Sequence, residues 1–166
     1  MAEFDLEILD LVAQLSASAR EKAMMVVTAE SCTGGLIAGA ITSLAGSSAV
    51  FDRGIVSYSN EAKQELLAVP KDILATHGAV SHETACAMVH GLFTQSQAAI
   101  GVSVTGVAGP GGGSDEKPVG LVYVGHGLRD GAVDATRYLF DGDRPAIRRA
   151  TIVAALTHID RLLATI

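Results

Sequence analysis

The sequence has no tryptophan, and aromatic residues fill only 4% of its 166 positions. Its core must therefore be assembled from Ala, Val, Ile and Leu, within an apolar share of 49%. Charged residues are also sparse, at 18%, a balance that excludes a disordered chain. No apolar run is long enough to span a bilayer. The two cysteines, Cys32 and Cys86, show neither metal-ligand spacing nor a disulfide framework. Five histidines are scattered singly, with no H-x-x-x-H pair, which argues against a structural zinc; no metal is expected. The formal net charge of −6 argues against broad nucleic-acid binding, yet leaves room for a local basic pocket that holds a small anion. The opening "MAEFDLEILDLVAQL" carries acidic residues where a signal peptide carries basic ones, so a cytoplasmic protein is expected.

At this length a single domain over residues 1–166 is the simplest organisation. Apolar positions at near-helical period run from Phe4 to Arg20, and "AMMVVTA" then reads as a buried strand ending near Glu30. After Gly34 and Gly35, "LIAGAITSLAG" is a helix that should stop at Gly46. "AVFDRGIVSYS" is a second strand, and "NEAKQELLAV" a short helix N-capped by Asn60 and ended by Pro70. Ser81 opens a further helix, "AAIGVSVTGVAG" is a third strand, and two more strands flank the turn "RDG". Pro145 suits the first turn of a closing helix. Early alternation with a late hairpin predicts a three-layer α/β/α domain with a mixed, mostly parallel sheet of about five to six strands. Residues 106–120 form the one long loop, and such loops tend to be functional.

Chemistry concentrates at "VVTAESCTGGLIAG", where a strand hands over to a helix. Ser31 or Thr33 could simply cap the helix. Alternatively Ser31 is a nucleophile, with the amides of Thr33, Gly34 and Gly35 aimed at developing negative charge. Cys32 is the rival, but consecutive residues leaving a strand tend to face opposite sides, so the thiol is expected to pack in the core. No histidine stands in a recognisable catalytic context. In "YSNEAK", Lys63 falls on the first helical turn after Tyr58 and could be a base of lowered pKa, with the tyrosine hydroxyl relaying or holding the proton. Spacing alone equally permits a solvated lysine and a packing tyrosine. The segment "SVTGVAGPGGGSDEKPVG" lacks the G-K-S/T of a nucleoside-triphosphate loop, but Thr105 and Gly106 sit where open α/β sheets bind ligands. Arg144 and Arg148 stand one helical turn apart and could meet one anion, or pair with Asp141 or Asp143.

These segments together resemble the CinA C-terminal domain family. "TAESCTGGLIAGAITSLAGSSAVFDRGIVSYSNEAK", "HGAVSHET", "VTGVAGPGGGSDEKPVGLVYVG" and "FDGDRPAIRRA" follow one another in the order the family has them. The resemblance implies a three-layer fold like that of anticodon-binding domains. It implies hydrolysis of nicotinamide mononucleotide to nicotinic acid mononucleotide and ammonia, in pyridine-nucleotide recycling, with no metal or organic cofactor. It places a serine–lysine mechanism on Ser31 and Lys63, with Tyr58 assisting. Thr33, Gly34, Gly35, Asn60, Thr105, Gly106, Arg144 and Arg148 become the candidates for oxyanion and substrate binding. The expected partners are the small-molecule substrate and further copies of the chain, with no nucleic acid and no membrane. A non-catalytic nucleotide-binding module, or a serine–lysine amidase for another carboxamide, remains the alternative.

Overall fold

The computed structural model describes residues 4–166; Met1 to Glu3, the start of the acidic opening segment, lie outside the described residues. Five strands form one sheet: β1 (Val26–Glu30), β2 (Phe51–Val56), β3 (Ile100–Gly106), β4 (Leu121–Leu128) and β5 (Val133–Leu139). Their order is β2-β1-β3-β4-β5. β1 pairs in parallel with β2 and β3, whereas β3–β4 and β4–β5 are antiparallel. The sheet is mixed, as expected, but its pairings divide evenly instead of being mostly parallel. The short turn at Arg129–Gly131 folds β5 back on β4 and fixes the antiparallel half.

Among the described residues six α-helices cover the two faces. α1 (Leu6–Glu21), α2 (Leu36–Thr42) and α6 (Arg144–Ala164) pack together on one, and α3 (Asn60–Leu67), α4 (Lys71–His77) and α5 (His82–Gln95) on the other. Two clusters of aliphatic side chains separate these layers from the sheet, with Leu15, Ile37, Ile100 and Leu156 in one and Val27, Leu67, Met88 and Leu92 in the other. Every residue of β1 is buried, because helices cover it on both sides.

Local chemistry sets the helix ends. Asp5, Ser81 and Asp143 cap α1, α5 and α6 by accepting from the amides of Ile8, Thr84 and Ala146. Ser59, not Asn60, caps α3: its Oγ accepts from Ala62 N at 3.0 Å, and Asn60 is the first helical residue. α2 ends at Thr42, short of Gly46, where the hydroxyls of Thr42 and Ser43 donate back to carbonyls of the preceding turn. Pro70 separates α3 from α4, a helix that hydrophobic periodicity did not indicate. The three parallel strands end together, so Ser31, Ser57 and Gly106 meet at one edge of the sheet.

Candidate active site

At that edge a cavity of about 230 Å³ is lined by Ser31, Tyr58, Lys63, Ala79, Val80, Thr105, Gly106 and Arg144, among others. Open α/β sheets bind ligands beyond the carboxyl ends of their parallel strands. Its construction starts with Glu30, the last residue of β1, which is completely buried. The Glu30 carboxylate accepts from Thr33 Oγ1 (2.6 Å), Gly35 N (3.0 Å), Ile37 N (3.1 Å) and Ala38 N (2.8 Å). A carboxylate here satisfies the free amides of the α2 N-terminus and complements its dipole. Gly34 and Gly35 adopt φ of +62° and +100°, a left-handed turn that lets the chain double back over Glu30.

The turn leaves Ser31 half-buried in the cavity, its amide held by Val104 O at 3.1 Å. Lys63 approaches from the first turn of α3. Only 1% exposed, it donates from Nζ to Ser31 Oγ at 3.1 Å and to the Ser57 carbonyl at 2.8 Å. No carboxylate pairs with it among the described residues, and burial lowers its pKa from the ordinary 10.5. Burial thus shifts the amine toward its neutral form beside a hydroxyl. Cys32 also borders the cavity but is almost wholly buried against the core, and burial pushes its thiol up to about 11. A protonated, buried thiol is a poor nucleophile.

Other expected contributors take different places. Gly35 N is bonded to Glu30 and Gly34 N to Ser31 O, so these two amides are not available to an oxyanion. The amides of Cys32 and Thr33 make no hydrogen bond to a backbone or side-chain oxygen among the described residues. Thr33 itself is buried, its hydroxyl on Glu30. Tyr58, 61% exposed, lines the same cavity but bonds neither Ser31 nor Lys63; its hydroxyl accepts from Arg144 Nη2 at 3.1 Å. Thr105 spends its hydroxyl on Ala79 O at 2.6 Å. Gly106 is required by packing, since a Cβ there would lie 2.6 Å from Val122 Cγ2. Asn60 is exposed and does not line the cavity.

The two arginines separate. Arg144 lines the cavity and donates from Nη1 to Gly109 O at 2.9 Å, tying the glycine-rich loop to Tyr58 across the opening. Arg148 turns to the far side of the strand–helix turn and donates to Thr33 O at 2.7 Å, with its Nε buried and unpartnered. Neither pairs with Asp141 or Asp143, the latter being the cap of α6. Sequence reasoning missed Glu30 as an organiser and the carbonyls of Ser57 and Gly109. Glu30 left a signal, an acid five residues before an amide-rich helix start; the carbonyls left none.

The arrangement has three parts: a hydroxyl, a buried amine of lowered pKa in hydrogen-bond reach of it, and a guanidinium across the cavity. It can carry out nucleophilic acyl transfer on a small anionic molecule. Residues 9–163 match the CinA C-terminal domain. A relative from Enterobacter agglomerans, named nicotinamide-nucleotide amidohydrolase PncC, is 49% identical over 89% of this chain and 90% of its own length. A CinA-like protein of Geobacter sulfurreducens is 49% identical over 99% of this chain, which spans 39% of that longer protein. The crystal structure of the competence/damage inducible protein CihA from Agrobacterium tumefaciens superposes with a TM-score of 0.93 at 48% identity, covering 99% of this chain and 98% of that one. This chain belongs to the CinA C-terminal domain family.

Proposed function

We propose that this chain hydrolyses the carboxamide of nicotinamide mononucleotide, releasing ammonia and nicotinic acid mononucleotide, by a serine–lysine mechanism. The Lys63 Nζ to Ser31 Oγ approach of 3.1 Å carries this. The relative from E. agglomerans, nearly equal in extent, supports the substrate class through its name.

Neutral Lys63 takes the proton of Ser31 as Oγ attacks the carboxamide carbon. The Ser57 carbonyl holds one N–H of the amine, which orients the nitrogen lone pair toward Ser31. The new oxyanion faces the amide of Cys32, the donor that follows the nucleophile directly, in place of the occupied amides of Gly34 and Gly35. Collapse breaks the C–N bond, and Lys63 returns its proton to the leaving nitrogen as ammonia departs. Water, deprotonated by the same amine, then attacks the acyl-enzyme and restores Ser31 while the carboxylate product leaves. Arg144 is the cation on hand for the substrate phosphate, and no step requires a metal or organic cofactor.

The decisive assay is ammonia release from nicotinamide, its riboside, mononucleotide and dinucleotide, with wild type beside Ser31→Ala. Wild type should prefer the mononucleotide, and Ser31→Ala should abolish release while keeping its fold. Activity surviving in Ser31→Ala, or absent in wild type for all four substrates, refutes the assignment.

A further inference from the structure

Where α5 passes the edge strand β5, three side chains of metal-binding type converge outside the cavity described above. His82 and Cys86 are one helical turn apart on α5, and Asp134 reaches them from β5. His82 Nε2 lies 2.8 Å from Asp134 Oδ1 and 3.9 Å from Cys86 Sγ. The three ligand atoms all fall within 4.8 Å of one another. Spacing of the His–His kind is absent from the sequence, but H-x-x-x-C provides the same one-turn geometry, and the third ligand comes from a strand about fifty residues away in sequence.

We propose that His82, Cys86 and Asp134 form a zinc site. Tetrahedral zinc, with bonds of about 2.0–2.3 Å, keeps nitrogen, oxygen and sulfur ligands roughly 3.3–3.6 Å apart. To reach that range the His82–Asp134 hydrogen bond of 2.8 Å opens and the His82–Cys86 separation of 3.9 Å closes, with all three ligand atoms starting within 4.8 Å of one another. The side chains of His82 and Asp134 are 49% and 71% exposed, free to make such movements without disturbing the core. A thiolate with imidazole and carboxylate suits zinc and disfavours the hard cations magnesium and calcium. Three protein ligands leave a fourth position for water. His82 and Cys86 also line a cavity of about 570 Å³, whose apolar wall includes Leu67, Pro70 and Ile73. His90 lines the same cavity one further turn along α5. The metal would fasten the start of α5 to the edge strand β5, directly after Ala79 and Val80, which wall the Ser31 cavity.

The test is zinc titration of reduced, chelator-treated protein against a chromogenic zinc chelator, for wild type, Cys86→Ala, His82→Ala, Asp134→Asn and Cys32→Ala. Wild type and Cys32→Ala should bind one zinc per chain. Loss of a direct ligand in Cys86→Ala or His82→Ala should weaken binding by more than the roughly 10–100-fold that loss of an outer-shell partner causes. Cobalt(II), as a second probe, should give a thiolate-to-cobalt charge-transfer band in wild type that Cys86→Ala lacks. Metal-free melting temperatures establish that each variant is folded, and zinc should raise the melting temperature of wild type but not of Cys86→Ala. Absence of zinc binding by wild type overturns the site, as does undiminished affinity in Cys86→Ala. All three readouts are independent of whether the chain is an amidase.

Discussion

Glu30 makes the strongest claim about how the site is held, and Glu30→Gln tests it. The carboxylate is fully buried and accepts four hydrogen bonds, three on Oε2 and one on Oε1. A glutamine that places its carbonyl at the Oε2 position keeps Thr33, Gly35 and Ile37 as partners. Its NH2 group must then face the amide of Ala38, donor against donor. One charge-assisted bond is lost and a buried N–H is orphaned, at about 1–3 kcal/mol. Removing the negative charge from the α2 N-terminus adds up to about 2 kcal/mol in a buried setting. The sum is about 3 kcal/mol, which for a chain of this size lowers the melting temperature by roughly 6–12 °C.

The readouts are thermal unfolding by circular dichroism and ammonia release. Because Ser31 follows Glu30 directly, loosening the turn should lower kcat more than it raises KM. Thr33→Val removes a single partner and should cost only about 1 kcal/mol. A Glu30→Gln protein melting within about 2 °C of wild type, at the size scaling used above, would show that Glu30 does not hold the turn. Unchanged kcat together with the lower melting temperature would separate the stability of the turn from the positioning of Ser31.

Cys32→Ala should keep most of the activity that Ser31→Ala loses, because the thiol is buried and protonated; a dead Cys32→Ala beside an active Ser31→Ala would identify the wrong nucleophile. Lys63 should make the rate rise with pH through an apparent pKa below 10.5, and Lys63→Arg should be inactive because guanidinium cannot take the proton. The same group acts on stability: between its lowered folded pKa and its unfolded value the unfolded chain binds more protons, so wild type gains stability with rising pH, by at most about 1.4 kcal/mol per pH unit, and Lys63→Met lacks that gain. A Lys63→Met protein with the wild-type pH dependence would refute the assignment. Arg144→Ala should weaken the mononucleotide about ten- to a hundredfold and leave the phosphate-free riboside nearly unchanged, whereas Arg148→Ala should affect both alike; equal loss on both substrates for Arg144→Ala would make it structural too.

Residue types, periodicity and caps made the order of most elements legible in the sequence. The strand–helix junction at Glu30 to Gly35 stood out because β-branched residues end there and two glycines follow. α4 was hidden because it starts directly after Pro70 and, at seven residues, is too short to display an apolar period. The roles inside the junction were less legible. Free amides at a helix N-terminus look like an anion site, yet a side chain from the preceding strand folds back and fills it. Only the left-handed turn at Gly34 and Gly35 makes that possible, and a sequence shows the glycines without showing what they wrap around. Arg144 and Arg148 share one spacing but not one destination: the end of α6 sits at the rim of the cavity, so a single turn moves a guanidinium from its opening to the back of α2.

The two buried ionisable side chains around Ser31 are treated in opposite ways, and the difference explains what each is for. Glu30 accepts hydrogen bonds on both carboxylate oxygens, four in all, and these tie down the turn it organises. Lys63 has a carbonyl and a hydroxyl but no carboxylate partner among the described residues, so burial works against its charge and outweighs the opposing influence of nearby Cys32. A carboxylate placed beside Lys63 would make the protein more tolerant of acid and would keep the amine protonated, leaving it no lone pair with which to accept the Ser31 proton. Withholding that partner lets burial lower the pKa of the amine and so makes it a readier base. It also sets a limit on the position: Arg cannot lose its proton, a carboxylate has no N–H for the Ser57 carbonyl, and a shorter amine would not span from α3 to Ser31. Lysine is the residue that is long enough, can be neutral and can still donate to Ser57 while it is.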